Sequence, residues 1–418
     1  MFILYDLIFL ILVIITLPVY ILKGKFHTEF FKRFGVLPKG LELDRPIWVH
    51  AVSVGEAVVV RGLVDELRKV YPGKKFVIST VTPTGNKIAK DLVKDADLLT
   101  YLPLDFSFIV RSVMQRINPQ LFIIAETEIW PNLISVLNKK GIPIVTVNGR
   151  ISDSSFKGYR VIKFLIKNIL AKVNLFCTQT DSDAKRLIAL GVDPDKIKVT
   201  GNMKFDQINL VRTSDYRKRL GLSPEEKLFV AGSTHSGEEG VVIGVYKKIL
   251  DIFPNVKLLI APRHPQRAKD IELLARSFGF FPVKTSELST QCVSCLQKPV
   301  FILDTVGELV NFYSASDIVF VGGSLIKKGG HNILEPASLG KPVIFGPYMF
   351  NFRDIAQMFI DNNAAIQVHN QEELFLAVEN LLKNTQKVLE LNSQAREVII
   401  RNQGATLRSV QAIKGVLC

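Results

Sequence analysis

The sequence predicts an α/β protein of two doubly wound, parallel-sheet domains facing each other across a cleft, behind an N-terminal membrane helix. Three observations carry that expectation. Short β-branched runs alternate with helix-length amphipathic stretches, the rhythm breaks near the middle of the chain and then resumes, and residues 7–22 carry no charge. A length of 418 residues exceeds one ordinary core and fits two domains.

The elements follow in chain order. Residues 1–22 form the predicted membrane anchor: the apolar run, interrupted only by Asp6 and Pro18, approaches the roughly 20 residues a spanning helix requires. The front lacks a basic start and the back ends in bulky Val19, Tyr20 and Ile21, so it reads as retained and not as a cleaved signal. A helix lying in the membrane interface fits the same residues. Lys23, Lys25, Lys32, Arg33 and Lys39 follow closely, which by the positive-inside rule places the body of the protein on the cytoplasmic side of its membrane. Residues 23–206 form the first domain, with strands over 47–52, 76–81, 121–125, 144–147, 175–178 and 197–200 and helices such as 56–70 and 132–140. Residues 207–224 are weakly periodic and end in Gly221 and Pro224, as a linker does. The second domain, 225–418, repeats the pattern with strands over 228–231, 257–261, 300–303, 317–321 and 343–345, and a helical tail from about 371.

Composition narrows the function classes. With 48% hydrophobic and 22% charged residues the chain folds, and a formal charge of +14 calls for a negative partner: nucleic acid, anionic lipid or a phosphorylated substrate. No aromatic-rich RNA-binding signature accompanies the charge, so nucleic acid is not expected. A G-x-x-x-x-G-K-[ST] phosphate loop and a G-x-S-x-G elbow are both absent, which removes the main support for NTPase and hydrolase readings. Cys292-x-x-Cys295 lacks a second ligand pair, and Asp95/Asp97, Asp181/Asp183 and Asp193/Asp195 suit helix starts and turns, so no metal site is predicted. No oligomeric state follows from the sequence.

In an open parallel sheet the chemistry lies past the carboxyl ends of strands. His50-Ala-Val-Ser53-Val-Gly55-Glu56 follows the first predicted strand; Ser53-x-x-Glu56 fits a capping box, while Gly55 permits close approach of a ligand. Glu126-Thr-Glu128-Ile-Trp-Pro-Asn132 places two carboxylates beside a tryptophan, able either to pair structurally or to hold a proton near an acceptor. Asn148-Gly-Arg150 adds a guanidinium fork suited to carboxylate or phosphate. In the second half, Gly232-Ser233-Thr-His235, Pro262-Arg263-His264 and Asp304-Thr-Val-Gly307-Glu308 are strand-end turns with anion-binding chemistry. The stretch from Gly322 through Gly329-Gly330-His331-Asn332-Ile-Leu-Glu335-Pro336 joins a strand to a helix through glycines. There, backbone N–H groups and the helix start would face an anion and Glu335 would accept from ribose hydroxyls. Asn332-x-x-Glu335 is equally a capping box.

These strings, with Thr200-Gly-Asn-Met-Lys204, together resemble the 3-deoxy-D-manno-octulosonic acid (Kdo) transferases of lipopolysaccharide synthesis over the whole chain, N-terminal segment included. The resemblance implies a GT-B glycosyltransferase fold, CMP-Kdo as donor substrate, a lipid A precursor (lipid IVA) as acceptor, inversion at the anomeric centre, and neither cofactor nor required metal. Glu56 matches the family's proposed general base and Glu126 a second carboxylate on the acceptor side, where Ser53, Gly55 and Arg150 are also placed. Arg263, Asn332 and Glu335 fall in the motifs that hold CMP, and Ser233, His264, Gly307 and Gly330 are added to them. One departure stands out: Gly149 occupies a position where alanine is expected. The rival enzyme reading is a membrane-associated GT-B protein using a UDP-sugar; the rival non-enzyme reading is a membrane-tethered nucleic-acid binder.

Overall fold

The computed structural model describes residues 2–22, 28–52, 54–92, 97–207, 216–288 and 298–417. Ser53, Lys23, Lys25, residues 208–215 of the expected linker, and the Cys292 and Cys295 pair lie outside them. The chain divides into two units, Met1–Gln207 with Asn402–Cys418, and Ile208–Arg401.

The first unit holds β1 (Ile47–His50), β2 (Phe76–Thr80), β3 (Leu98–Tyr101), β4 (Leu121–Ala125), β5 (Ile144–Gly149), β6 (Leu175–Thr178) and β7 (Ile197–Val199). All pair in parallel in the order β3-β2-β1-β4-β5-β6-β7. Alternation along the strands feeds two cores. Trp48, Phe122 and Phe176 enter one face and Val49, Ile123 and Val145 the other, because successive strand side chains point to opposite sides.

The second unit holds β8 (Lys227–Thr234), β9 (Val256–Pro262), β10 (Phe281–Lys284), β11 (Pro299–Ile302), β12 (Ile318–Val321), β13 (Val343–Phe345) and β14 (Ile366–Gln367). They form a second parallel sheet, β10-β11-β9-β8-β12-β13-β14. The strand order reverses between β1 and β4 in one sheet and between β8 and β12 in the other. Ligands of doubly wound sheets bind outside the carboxyl ends at such points.

Three strands escaped the sequence reading. β3 and β10 are edge strands, β14 has two residues, and Pro282 inside β10 is a residue that edge strands tolerate and central ones do not. The expected bound of the second domain at 418 does not hold, while a tail shared by both domains does: its last helix, Ala405–Leu417, belongs to the first unit. Val410 and Ile413 enter that unit's core, and Asp206 accepts from Gly404 N and Thr406 N, both at 2.6 Å. Helical propensity locates a helix but does not say which core takes its apolar face.

The N-terminal segment is helical over Phe2–Leu22, yet among the described residues no helix is long and apolar enough to cross a membrane. Its first turns are committed to the first unit. Asp6 accepts from Ser107 N at 2.9 Å, Ser107 Oγ at 2.6 Å and Asn132 Nδ2 at 2.7 Å, and Phe9 packs edge-on against Phe106 at 5.0 Å. The part beyond Asp6 falls short of the roughly 20 residues of a span and contains Pro18. Arg33, expected among the membrane-facing cations, is instead buried, its Nε donating to Leu102 O at 3.1 Å.

Candidate functional site

Each unit gathers its polar side chains at the carboxyl edge where its strand order reverses. In the first, β1 runs out at His50 and the helix Val54–Val70 begins, with Glu56 in its first turn and Gly55 exposed beside it. The Glu56 side chain is buried, and its Oε2 accepts from Val52 N at 2.7 Å. That bond satisfies a donor at the helix start and fixes the carboxylate's direction.

Beside it, β4 ends in a backbone kink. Glu126 has φ 59, a left-handed conformation that for a glutamate stores on the order of 1 kcal/mol or more. Its N–H still reaches Val147 O at 2.9 Å, and its carboxylate lies 4.0 Å from Lys204 Nζ. Asn148, at the end of β5, is likewise left-handed with φ 53; its Oδ1 accepts from Met203 N at 3.0 Å, tying the turn after β5 to the Thr200–Lys204 string. Arg150 N donates to Thr127 Oγ1 at 3.0 Å, so the guanidinium is carried on a turn braced against the β4 turn. A Cβ at Gly149 would sit 3.2 Å from Cys177 O, a tight contact that the alanine expected here relieves by a shift of the strand of a few tenths of an ångström.

Two residues not assigned from sequence complete this edge. His50 is fully buried, its Nδ1 bonded to Ser79 O and Oγ, while Nε2 has no hydrogen-bond partner among the described residues and lies 4.0 Å from Glu128 Oε2. Burial pushes its pKa down to about 3, so the ring is neutral at neutral pH. Burial also raises the Glu128 carboxyl, opposed by a 2.9 Å hydrogen bond from Trp130 Nε1 and reinforced by Glu126.

The second unit's edge is organised around a side chain the sequence reading passed over. Glu238, fully buried in the first turn of the helix Glu238–Leu250, accepts four backbone N–H bonds: His235 at 3.0 Å, Gly323 at 2.7 Å, and Ser324 and Leu325 at 3.0 Å each. The amides at the head of the glycine-rich turn were expected to face a bound anion; an internal carboxylate takes them instead. The signal was present in Glu238-Glu239 after a strand-end turn, but helix-first-turn acids are common and point nowhere by themselves.

The remaining predicted residues are then placed as follows. Ser233 sits at a bulge in β8 with φ 57. Arg263 N bonds Thr234 O at 2.9 Å, and its exposed guanidinium makes no ion pair among the described residues, unlike Arg267, which pairs with buried Glu239 at 2.6 Å. His264 is exposed next to it, 6.1 Å ring to ring from His235. Gly307 has φ 92 and open space around it. Gly330 has φ 69, where a side chain is strained, and a Cβ there would also push Met349 Sδ aside.

Asn332 and Glu335 form only half of a capping box. Asn332 Oδ1 accepts from Leu334 N at 3.1 Å, while Glu335 Oε1 accepts from the Asn332 side-chain amide at 3.1 Å and not from its backbone. The helix that Asn332 precedes and Glu335 enters, Leu334–Ser338, is one turn long, too short for the dipole expected of it. Burial raises the Glu335 carboxyl, with Asn332 and Arg263 opposing. Among the described residues no three His, Cys, Asp or Glu side chains converge as a metal set. Asp183 and Asp193 serve as turn and cap acceptors, for Ile151 N and Asp195 N.

Known proteins resemble the chain over both units. Residues 28–207 match the family model described as 3-deoxy-D-manno-octulosonic-acid transferase (kdotransferase), and residues 287–398 match that of glycosyl transferases group 1. A 3-deoxy-D-manno-octulosonic acid transferase of Haemophilus influenzae is 36% identical over 89% of this chain and 87% of its own. One of Chlamydia pneumoniae is 30% identical over 99% of this chain and 96% of its own. The UDP-GlcNAc 2-epimerase of Neisseria meningitidis shares the fold at 13% identity, with a TM-score of 0.62 over 88% of this chain and 100% of that one.

Proposed function

The chain belongs to the Kdo transferases, a glycosyltransferase family of lipopolysaccharide synthesis, and on that premise we propose that it transfers Kdo from CMP-Kdo to a lipid A precursor such as lipid IVA, with inversion. The observation that carries the reading is sequence identity sustained over nearly the full length to a named Kdo transferase. The two carboxyl edges are the places where its chemistry fits.

In this reading Glu56 is the general base. The Val52 N–H holds one oxygen in a fixed direction, and a positioned carboxylate taking the acceptor hydroxyl's proton contributes about 10² to 10⁴ in rate. Glu126, with Lys204 beside it, and Arg150 position the acceptor together with Gly55 and Ser53. In the second unit, Glu335 and Asn332 receive the ribose, and Arg263 faces the phosphate whose charge grows as CMP leaves. Ser233, His264, Gly307 and Gly330 shape the surrounding turns. The proposal assigns that charge to protein cations and requires no metal or cofactor.

The acceptor is an anionic lipid, so the protein works at the cytoplasmic face of the inner membrane, among anionic lipids. The N-terminal helix, with Leu7, Ile8, Ile11, Ile14 and Ile15 exposed, lies in the interface in this reading and does not span. Exposed Val161, Phe164 and Leu165, interleaved with Arg160, Lys163 and Lys167, offer a second apolar and basic face on the same unit. Incubation with CMP-Kdo and tetraacyl lipid A precursor, followed by product mass, tests the whole reading. Addition of one or more Kdo masses is expected; unchanged acceptor, or thermal protection by UDP and not by CMP, would overturn it.

A further inference from the structure

His235 and His331 come from opposite sides of the second unit's strand-order reversal, one after β8 and one after β12. Their Nε2 atoms are 2.9 Å apart and their rings nearly parallel, at 9° with centroids 5.2 Å apart. Gly323, with φ 69, makes room for both: a Cβ there would stand 3.0 Å from His331 Cδ2 and 3.4 Å from His235 Cδ2. The His235 backbone is itself pinned by Glu238.

An Nε2 to Nε2 hydrogen bond needs one donor and one acceptor, so the neutral pair holds one ring of each tautomer. Such a pair has one bare Nδ1. A single added proton fills it, keeps the central N–H···N bond, and gives the pair two Nδ1–H donors and one positive charge. A second added proton would set two donors against each other at 2.9 Å. The pair therefore has two usable states, neutral with one Nδ1–H donor and singly charged with two, and the charged one is the stronger anion receptor.

We propose that His235 and His331 act as one proton-sharing unit that takes up a proton as the phosphate of the CMP-linked donor binds, and keeps it while the bond between sugar and phosphate breaks. This rests on the donor-site reading above. The groups facing the pair explain why it is empty beforehand. Burial comes first, and then Arg263, His264, Lys328 and Arg267 all oppose a further positive charge, holding His331 down to about 4 and His235 below its usual range. Glu239 favours the charge but is paired with Arg267, and Glu238 is occupied by backbone amides. An incoming phosphate adds the missing counter-charge. During transfer the acceptor hydroxyl's proton goes to Glu56 as its oxygen bonds the anomeric carbon. The bond from that carbon to the phosphate oxygen breaks, and the phosphodiester's single charge becomes the two of CMP. The shared imidazolium then faces that second charge, and its proton is released when CMP departs.

Calorimetric titration of the full chain with CMP at pH 7.5, in phosphate-free buffers of low and high ionisation enthalpy, reads the proton count directly. Uptake approaching one proton is expected, with CMP affinity weakening by up to about tenfold per pH unit above neutrality. In His331→Asn, and independently in His235→Asn, CMP should still bind but with the uptake largely lost. Binding with equal heats in both buffers overturns this inference alone, as does uptake undiminished in both variants, which would put the proton on CMP itself. No CMP binding at any pH would overturn the donor-site reading and this inference with it.

Discussion

Replacing Glu56 by Gln and by Ala separates two jobs that one carboxylate performs. The structural job is acceptance of the Val52 N–H at 2.7 Å by a buried side chain in a helix's first turn. A hydrogen bond to a charged acceptor is worth about 1.5–3 kcal/mol net, and a neutral one about 0.5–1.5. Gln keeps an acceptor, so Glu56→Gln should lose only about 1 kcal/mol, including the smaller interaction with the helix dipole. Ala leaves the amide without its partner and should lose about 2 kcal/mol or more. The catalytic job is different in kind, since Gln cannot take a proton, and both variants should fall by about 10² or more in kcat with CMP affinity unchanged. Denaturant melts, CMP titration and single-turnover transfer to the lipid acceptor read the three quantities on the same preparations. Transfer by Glu56→Gln within about threefold of the parent would refute the base assignment and move it to Glu126. The stability difference between Gln and Ala would survive, because it depends on the cap alone.

Other expectations concern the rest of the site. Glu238→Ala strips the acceptor from four backbone amides at once; a loss of about 3 kcal/mol or more is expected in denaturant melts, with CMP binding abolished, and near-parental stability would show the clamp to be dispensable. Glu335→Ala should weaken CMP binding about tenfold through a lost ribose contact, whereas unchanged affinity with lowered stability would return Asn332 and Glu335 to a purely capping role. Asp105, buried where its two oxygens accept from Asn132 N and Leu133 N, is raised to about 7, by burial first and by Asp6. A carboxyl raised on folding contributes stability present below its unfolded pKa near 4 and lost as pH rises towards 7. The parent should therefore lose stability relative to Asp105→Asn across that window, and parallel pH profiles for the two would contradict the shift.

The sequence by itself determined the two parallel sheets and most of their strands. Strands 121–125, 175–178 and 343–345 form at the predicted residues, because a fully buried parallel strand needs a short unbroken apolar run, and these runs are too short to be helices and are bounded by turn residues. The strand-end strings are legible for a related reason: ligand chemistry in this architecture is confined to the turns after strands, so polar and glycine clusters there stand out. Edge strands β10, broken by Pro282, and β14, two residues long, lack the run and were not legible; β3 carries one in Leu98-Leu99-Thr100-Tyr101 and was missed all the same.

Only the tertiary structure decided which groups share a contact. Glu238 finds amides from residues 323 to 325, His235 finds His331, Asp6 finds Ser107 and Asn132, and the last helix joins the first unit. A glutamate at a helix start, a histidine in a loop and an apolar helix face are each compatible with many partners. What selects one is the strand order, which sets two distant turns side by side, and the high penalty on a buried polar group left without a hydrogen bond. Neither has a local trace in the order of residues.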